Sequence, residues 1–283
     1  MLPRDSAGHG LPRRVRGRLA KARVDTRGSM TKYVRYAHDG DESYGVLEGD
    51  AVRELDGDLF ADPQPTWRSL PLAQVELLVP VKPQKVIAVG LNYRSHLGER
   101  DPAAEPGLFA KFPSSLVATG QDIVLPEGST NVHYEGELVV VIGKRARDVP
   151  VGMAAEHIFG ITAGNDVSER VWQRNDLQWF RAKGSDTFGP VGPAIATGVD
   201  YTNVQVQTRL NGEVRQSERT DHMIFTVDEI VSYISRFVTL EPGDLIFTGT
   251  PGQTRAMQPG DVVEVEVEGV GVLRNTVTGP KAR

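Results

Sequence analysis

The sequence predicts an α+β protein dominated by β-structure, with flanking helices and a small β-module ahead of the main body. Three observations predict it. The 283 residues include 30 glycines and 18 prolines, the usage of a chain with many tight connections. Short apolar runs recur along the chain, and turn residues bound nearly all of them. Only two stretches carry helical spacing.

Taken in order, residues 1–29 show neither an apolar period nor alternation and read as a disordered basic extension. Tyr33 to Tyr36 is strand-like, so the fold is expected to start at Met30. Asp39-Gly40-Asp41 is a turn, and Tyr44 to Leu55 alternates around a second turn at Gly49-Asp50, which makes 30–78 a small N-terminal β-module. Pro63, Pro65 and Leu70-Pro71 form a loop-rich join to the main domain, 79–283. There Lys85 to Val89 reads as a buried strand. Further apolar runs follow at Val139–Ile142, Ile158–Ala163, Ala194–Ala196, Leu245–Phe247 and Val262–Val267. The first helix is expected over Ser168–Ala182, with Trp172, Asn175 and Trp179 at helical spacing. The second follows Thr226-Val227-Asp228-Glu229, a capping box, with Ile230, Ile234 and Phe237 on one face. Between them Gln205 to Gln216 reads as a hairpin around Asn211-Gly212.

Composition narrows the chemistry. Hydrophobic residues make up 39% and charged residues 24%, which fits a globular protein, and no run is long enough to span a bilayer. With no cysteine, disulfides, thiolate-bound metals and thiol nucleophiles are excluded, so a metal must sit on oxygen or imidazole. Eight basic and two acidic residues give 1–29 a formal charge of +6, leaving −11 on the remainder of a chain whose net charge is −5. An acidic body argues against nucleic acid as the main ligand. The leader also lacks the apolar centre of a secretory signal, and a cytoplasmic location is expected.

Glu135 and Glu137 lead into the apolar run Leu138–Ile142. On a strand, residues two apart share a face, and two acids entering a buried strand are costly unless a cation compensates them. The chain holds its own contrast: Glu264, Glu266 and Glu268 alternate with valines and read as an ordinary solvated face. Asp166, at the junction of the 158–163 run and the first helix, reads as a helix cap or as a third oxygen ligand suited to Mg²⁺ or Mn²⁺. His133 shares the Glu135 face, which leaves a nitrogen ligand open. His96 and Glu99, three apart after a strand end, could form an oriented general base. Lys183 reads equally as a helix-dipole partner, and Thr248-Gly249-Thr250-Pro251-Gly252 as a plain turn or an anion-binding one.

From about Lys85 to Val277 the chain resembles the fumarylacetoacetate hydrolase family. The pieces are Val89-Gly90-Leu91-Asn92-Tyr93 with His96 and Glu99, Phe109-Ala110-Lys111-Phe112-Pro113-Ser114, Tyr134-Glu135-Gly136-Glu137-Leu138, Gly164-Asn165-Asp166-Val167-Ser168 with Arg170 and Gln173, Ala182-Lys183, Gly189-Pro190-Val191-Gly192-Pro193, and Thr248-Gly249-Thr250-Pro251. The resemblance implies a mixed β-sheet roll with flanking helices, commonly a homodimer. It implies Mg²⁺ or Mn²⁺ on Glu135, Glu137 and Asp166, and a His96–Glu99 dyad handling water or protons. Lys183 and Gln173 would contact substrate, Thr250 would hold its carboxylate, and Arg170 and Lys111 would stand beside it. Lys183-Gly184-Ser185-Asp186 departs from many relatives, which carry a serine and an aromatic residue before the aspartate.

The implied chemistry is cleavage of a C–C bond in a 2-oxo or 2,4-dioxo acid, by an acylpyruvate-type hydrolase or an oxaloacetate decarboxylase. A divalent ion stabilises the enolate left behind. If that enolate is merely reprotonated, the enzyme is a tautomerase or isomerase, and the motifs do not choose among the three. A non-catalytic metal-binding β-protein is the competing class. It leaves His96 and Lys183 without a role.

Overall fold

The computed structural model describes residues 30–280; the basic extension expected at 1–29 lies outside the described residues. Four strands, β1 (Thr31–His38), β2 (Asp41–Glu48), β3 (Ala51–Asp56) and β4 (Gln64–Pro71), form an antiparallel meander. β5 (Glu76–Leu77) returns to β1. The main body opens with β6 (Val86–Gly90), the single-turn α1 (Arg94–Leu97), β7 (Gly107–Lys111), β8 (Leu116–Val117), β9 (Ile123–Val124) and β10 (Val132–His133). Next come β11 (Gly136–Ile142), β12 (Ile158–Asn165), β13 (Ser168–Glu169), α2 (Arg170–Asn175), α3 (Phe180–Gly184) and β14 (Gly189–Thr197). The hairpin β15 (Gln205–Leu210) and β16 (Glu213–Arg219) precedes α4 (Val227–Phe237), β17 (Leu245–Phe247), β18 (Val262–Val267) and β19 (Gly271–Thr278).

A 12-stranded mixed sheet runs in the order β4-β3-β2-β1-β14-β12-β11-β17-β6-β7, with β5 on β1 and β8 on β14. A five-stranded sheet, β16-β15-β18-β19-β9, packs against it. The N-terminal module is not a sheet of its own, because β1 pairs with β14 through Thr31↔Thr197 and Tyr33↔Ile195. Local alternation found its strands, but that pairing joins residues far apart in the chain.

β11 explains the core. It is buried along its whole length. Leu138, Val140 and Ile142 face one cluster, filled by Val206, Val265 and the α4 residues Ile230 and Ile234. Val139 and Val141 face another, with Ile195 and Phe247. Gly136 starts this strand, where an added Cβ would lie 1.9 Å from Thr208 Oγ1, so the close approach of the two sheets requires glycine.

Local signals hold where turn and cap chemistry is strong. Asn211 and Gly212 adopt left-handed backbone in the β15–β16 turn. The Thr226 hydroxyl accepts from the Glu229 amide, and Glu229 returns the bond to the Thr226 amide at 2.8 Å, completing the capping box. The single helix expected over Ser168–Ala182 is instead broken. Gln178 and Trp179 both have positive φ, 58° and 59°, so the chain turns between α2 and α3. Aromatic packing stabilises the turn: Trp179 meets Phe109 edge to face at 5.1 Å, and Arg181 lies over the Trp172 ring.

Candidate active site

Antiparallel pairing of β11 with β12 sets Gly136 opposite Asn165 and so brings Glu135, Glu137 and Asp166 to one end of the sheet. β17, antiparallel to β11, ends there too and continues into Thr248-Gly249-Thr250. All three carboxylates are buried, and each offers an oxygen within 4.8 Å of the others. The Asp166 amide donates to Glu135 O at 2.8 Å, so backbone pairing holds these two side by side. Asp166 caps neither helix; Glu169 fills that role for α2.

Two lysines balance this charge. Lys183 reaches Glu135 Oε2 at 2.6 Å and Asp166 Oδ2 at 2.5 Å. Lys111 donates to Asp166 Oδ1 at 2.7 Å and to the Lys183 carbonyl. Burial alone would raise the Glu135 carboxyl, but Lys183, Arg170 and His96 outweigh it and hold the group below the usual carboxylate range. Burial and the charges of Asp166 and Glu135 push Glu137 well above that range. Burial works against the Lys183 ammonium, yet Asp166 and Glu135 outweigh it and raise its pKa; at Lys111 burial wins and lowers it. A carboxyl pushed upward by burial and two acidic neighbours marks a site short of positive charge, and three buried oxygen donors suit a hard divalent ion.

Around this floor lies a cavity of about 570 Å³, lined by the triad, His96, Arg170, Gln173, Lys183 and Thr250. Arg170 Nη2 is 2.5 Å from Glu135 Oε1, and its Nη1 donates to Gln173 Oε1 at 2.8 Å. His96 lies 2.5 Å from Gly252 O through Nδ1 and 3.8 Å from Glu135 Oε1 through Nε2. A carbonyl only accepts, so Nδ1 carries a proton and Nε2 turns toward the site. Gly249 has φ 102°, and a Cβ there would lie 2.7 Å from that of Asn92; this glycine lets its amide reach Glu137 Oε2 at 2.8 Å.

Three expectations need correction. Lys111 is no cavity residue: it is 2% exposed and stands behind Asp166. Glu99 does not meet His96, because α1 ends at Leu97 and Gly98 adopts positive φ, leaving Glu99 exposed and, among the described residues, without a hydrogen bond or ion pair. Thr250 lines the cavity, but its hydroxyl donates to Gly136 O and accepts from Gln216 Nε2, both at 2.8 Å, so it has no proton left for a carboxylate. His133, open as a nitrogen ligand, pairs with Thr254 Oγ1 at 2.8 Å and Asn131 Oδ1 at 2.9 Å. Burial and the nearby Arg170 charge lower its pKa to about 4.

Sequence reasoning passed over Gln216, Thr254 and Glu169. Buried Gln216 ties Thr250 and the Pro251 carbonyl to the Gly136 amide. Thr254 links Arg170 to His133. Glu169, wholly buried, accepts from the Asn131 and Trp172 amides and so fixes the start of α2. Their signal is faint in the sequence. Gln216 follows an Asn-Gly turn on an otherwise alternating strand, and only its burial marks it.

The model of the fumarylacetoacetate (FAA) hydrolase C-terminal domain matches residues 85–278, more than half the chain. The chain belongs to the fumarylacetoacetate hydrolase family, a family of enzymes. Residues 31–80 match a second model, the Rv2993c-like N-terminal region. This family member is 43% identical over 223 residues to the mitochondrial oxaloacetate tautomerase FAHD2A of Bos taurus, covering 74% of this chain and 71% of that one. Its fold matches the crystal structure of a 2-hydroxyhepta-2,4-diene-1,7-dioate isomerase from Mycobacterium marinum with a TM-score of 0.84 at 41% identity, over 89% of this chain and all of that one. A maleylpyruvate hydrolase from Sphingobium sp. SYK-6, solved with manganese(II) and pyruvate, matches with a TM-score of 0.74 at 27% identity, over 88% of this chain and all of that one. Among the described residues no helix is long and apolar enough to cross a membrane.

Proposed function

We propose that this fumarylacetoacetate hydrolase family enzyme moves a proton between the keto and enol forms of a 2-oxo acid, a tautomerase or isomerase reaction, with Mg²⁺ or Mn²⁺ held by Glu135, Glu137 and Asp166. The observation that carries the reading is the setting of His96. Its Nδ1–H is anchored on Gly252 O, its Nε2 faces the site floor 3.8 Å from Glu135 Oε1, and Glu99, the expected water-activating partner, does not reach it. An imidazole oriented in this way suits proton transfer to and from carbon. The Bos taurus tautomerase and the Mycobacterium marinum isomerase, both above 40% identity, support the same reaction class.

In this reading Lys183 stabilises negative charge that develops on the 2-oxo oxygen. Gln173 gives its carbonyl oxygen to Arg170, which leaves its amide hydrogens to donate to substrate. Arg170, held by Glu135 and Thr254, fixes the orientation of that amide. When bound, the divalent ion supplies Lewis-acid polarisation of the carbonyl.

A second reading, C–C cleavage of a 2-oxo or dioxo acid, draws support from the Sphingobium hydrolase. Its hydrolytic form requires Glu99 to come to His96 so that the pair activates water; its decarboxylating form needs no attacking water. The deciding experiment follows enol absorbance and pyruvate release on one enzyme preparation, with oxaloacetate, a hydroxydiene-dioate and an acylpyruvate, with and without Mn²⁺. Tautomerase action consumes enol without forming pyruvate, and His96→Ala lowers that rate by ~10²–10⁴. Pyruvate release at the rate of enol loss overturns the first reading in favour of the second.

A further inference from the structure

The cavity is graded in charge from floor to mouth. Its lining acids are Glu135, Glu137 and Asp166, all on the floor, where Lys183, Lys111 and Arg170 already engage Glu135 and Asp166. Higher up, Phe109 and Trp179 form an apolar belt, their rings 5.1 Å apart. At the exposed edge stand Arg100 and Arg174, which line the same cavity. Among the described residues neither guanidinium has a hydrogen bond or ion pair, and none of the three lining acids engages them.

α2 sets the spacing. It climbs from wholly buried Glu169 through Arg170, whose side chain is 16% exposed, to exposed Arg174. Arg170 and Arg174 are four residues apart and lie on one helix face, separated by about 6 Å of axial rise. Arg170 spends its charge on Glu135. Arg174 keeps its own.

We infer that Arg174, assisted by Arg100, binds a second carboxylate at the end of the substrate remote from the 2-oxo group, so that the enzyme selects 2-oxo dicarboxylates whose carbon chain spans the Phe109–Trp179 belt. The inference rests on the reading that the floor takes the 2-oxo end. A guanidinium recognises a carboxylate through paired N–H donors, and two unpaired arginines at a cavity mouth supply both attraction and orientation.

The test compares 2-oxoadipate with 2-oxohexanoate, acids of equal length that differ only in the remote carboxylate. Enolisation is read as deuterium exchange at C3 by NMR in the presence of Mn²⁺-free Mg²⁺ buffer. Binding is read by calorimetry with adipate and hexanoate, which cannot enolise. In the wild-type enzyme the diacid is favoured in both arms, and Arg174→Gln cuts that preference by roughly tenfold to a hundredfold, the worth of a hydrogen-bonded charge. Arg174→Lys recovers part of it. Arg174 is exposed and unpartnered, so these variants do not endanger the fold. A preference for adipate that survives Arg174→Gln, or its absence from the wild type, overturns the inference. Absence of exchange with both oxo acids, while the adipate preference still depends on Arg174, defeats the enolisation reading and leaves the carboxylate site standing.

Discussion

Lys111 sits behind Asp166, its buried ammonium 2.7 Å from Oδ1, on the side away from the cavity. It takes no part in lining the site, yet it holds one of the three carboxylates and the backbone carbonyl of Lys183. Removing it leaves the buried Lys183 carbonyl without its side-chain donor and Asp166 with Lys183 as its remaining cation. Lys111→Met is therefore expected to destabilise the protein by about 3–5 kcal/mol. Urea denaturation at constant slope measures it, and an unchanged midpoint would show that Asp166 needs no support from this side.

Glu137→Gln keeps the shape of a ligand and removes its charge. The expected outcome is a loss of Mn²⁺ affinity greater than about 100-fold by calorimetry, with the far-UV circular dichroism spectrum unchanged. Glu135→Gln and Asp166→Asn should behave alike, because each carries one of three oxygens gathered within 4.8 Å. Wild-type affinity in any of the three would remove that residue from the metal site.

Gln216 lies outside the carboxylate triad but bonds beside it, to the Gly136 amide at 3.1 Å and to Thr250 Oγ1 at 2.8 Å. Gln216→Ala leaves a buried amide without an acceptor, at a cost of about 1–3 kcal/mol. A thermal melt of the variant beside wild type reads the effect. No drop in melting temperature would mean that the two sheets hold the Thr248–Gly252 turn without it.

Acid stability carries a separate signature at Glu42. Lys82 and Arg35, each 2.6 Å away, lower this carboxyl to about 2. Its folded pKa is depressed, so the unfolded chain binds more protons between about pH 4.5 and 2, and the stabilisation present above that window disappears as pH falls through it. In Glu42→Gln the loss of stability over this range should be shallower, and salt should narrow the difference because the pair is exposed. Parallel curves for variant and wild type would show that the pairing does not outlast solvent screening.

What the sequence disclosed was local. Asn211-Gly212 and Thr226–Glu229 form the turn and cap their side chains dictate. The contrast between two glutamate sets also holds: Glu264 and Glu266 pair with Arg209 on a half-buried face, whereas Glu135 and Glu137 are buried. The break at Gln178 and Trp179 was not legible, since neither residue is a helix breaker by type; tertiary packing of Trp179 on Phe109 outweighs their helical preference. Lys111 and Glu99 were misplaced for a related reason. A motif gives spacing along the chain, but not which side of a carboxylate a lysine approaches, nor where a four-residue helix stops.

The seam between β1 and β14 has a consequence for any shortened form of this enzyme. In the sheet order, β14 is flanked by β1 on one side and β12 on the other. A chain beginning at residue 79 would uncover the end of β14 that β1 pairs with, Ile195–Thr197, and leave its backbone donors and acceptors on that side unpaired. Such an open rim recruits whatever extended segment is nearby, including another copy of itself. The small module thus serves as a selvedge, a woven border along the end of β14, and its removal is expected to cost the protein resistance to aggregation rather than the fold of its core.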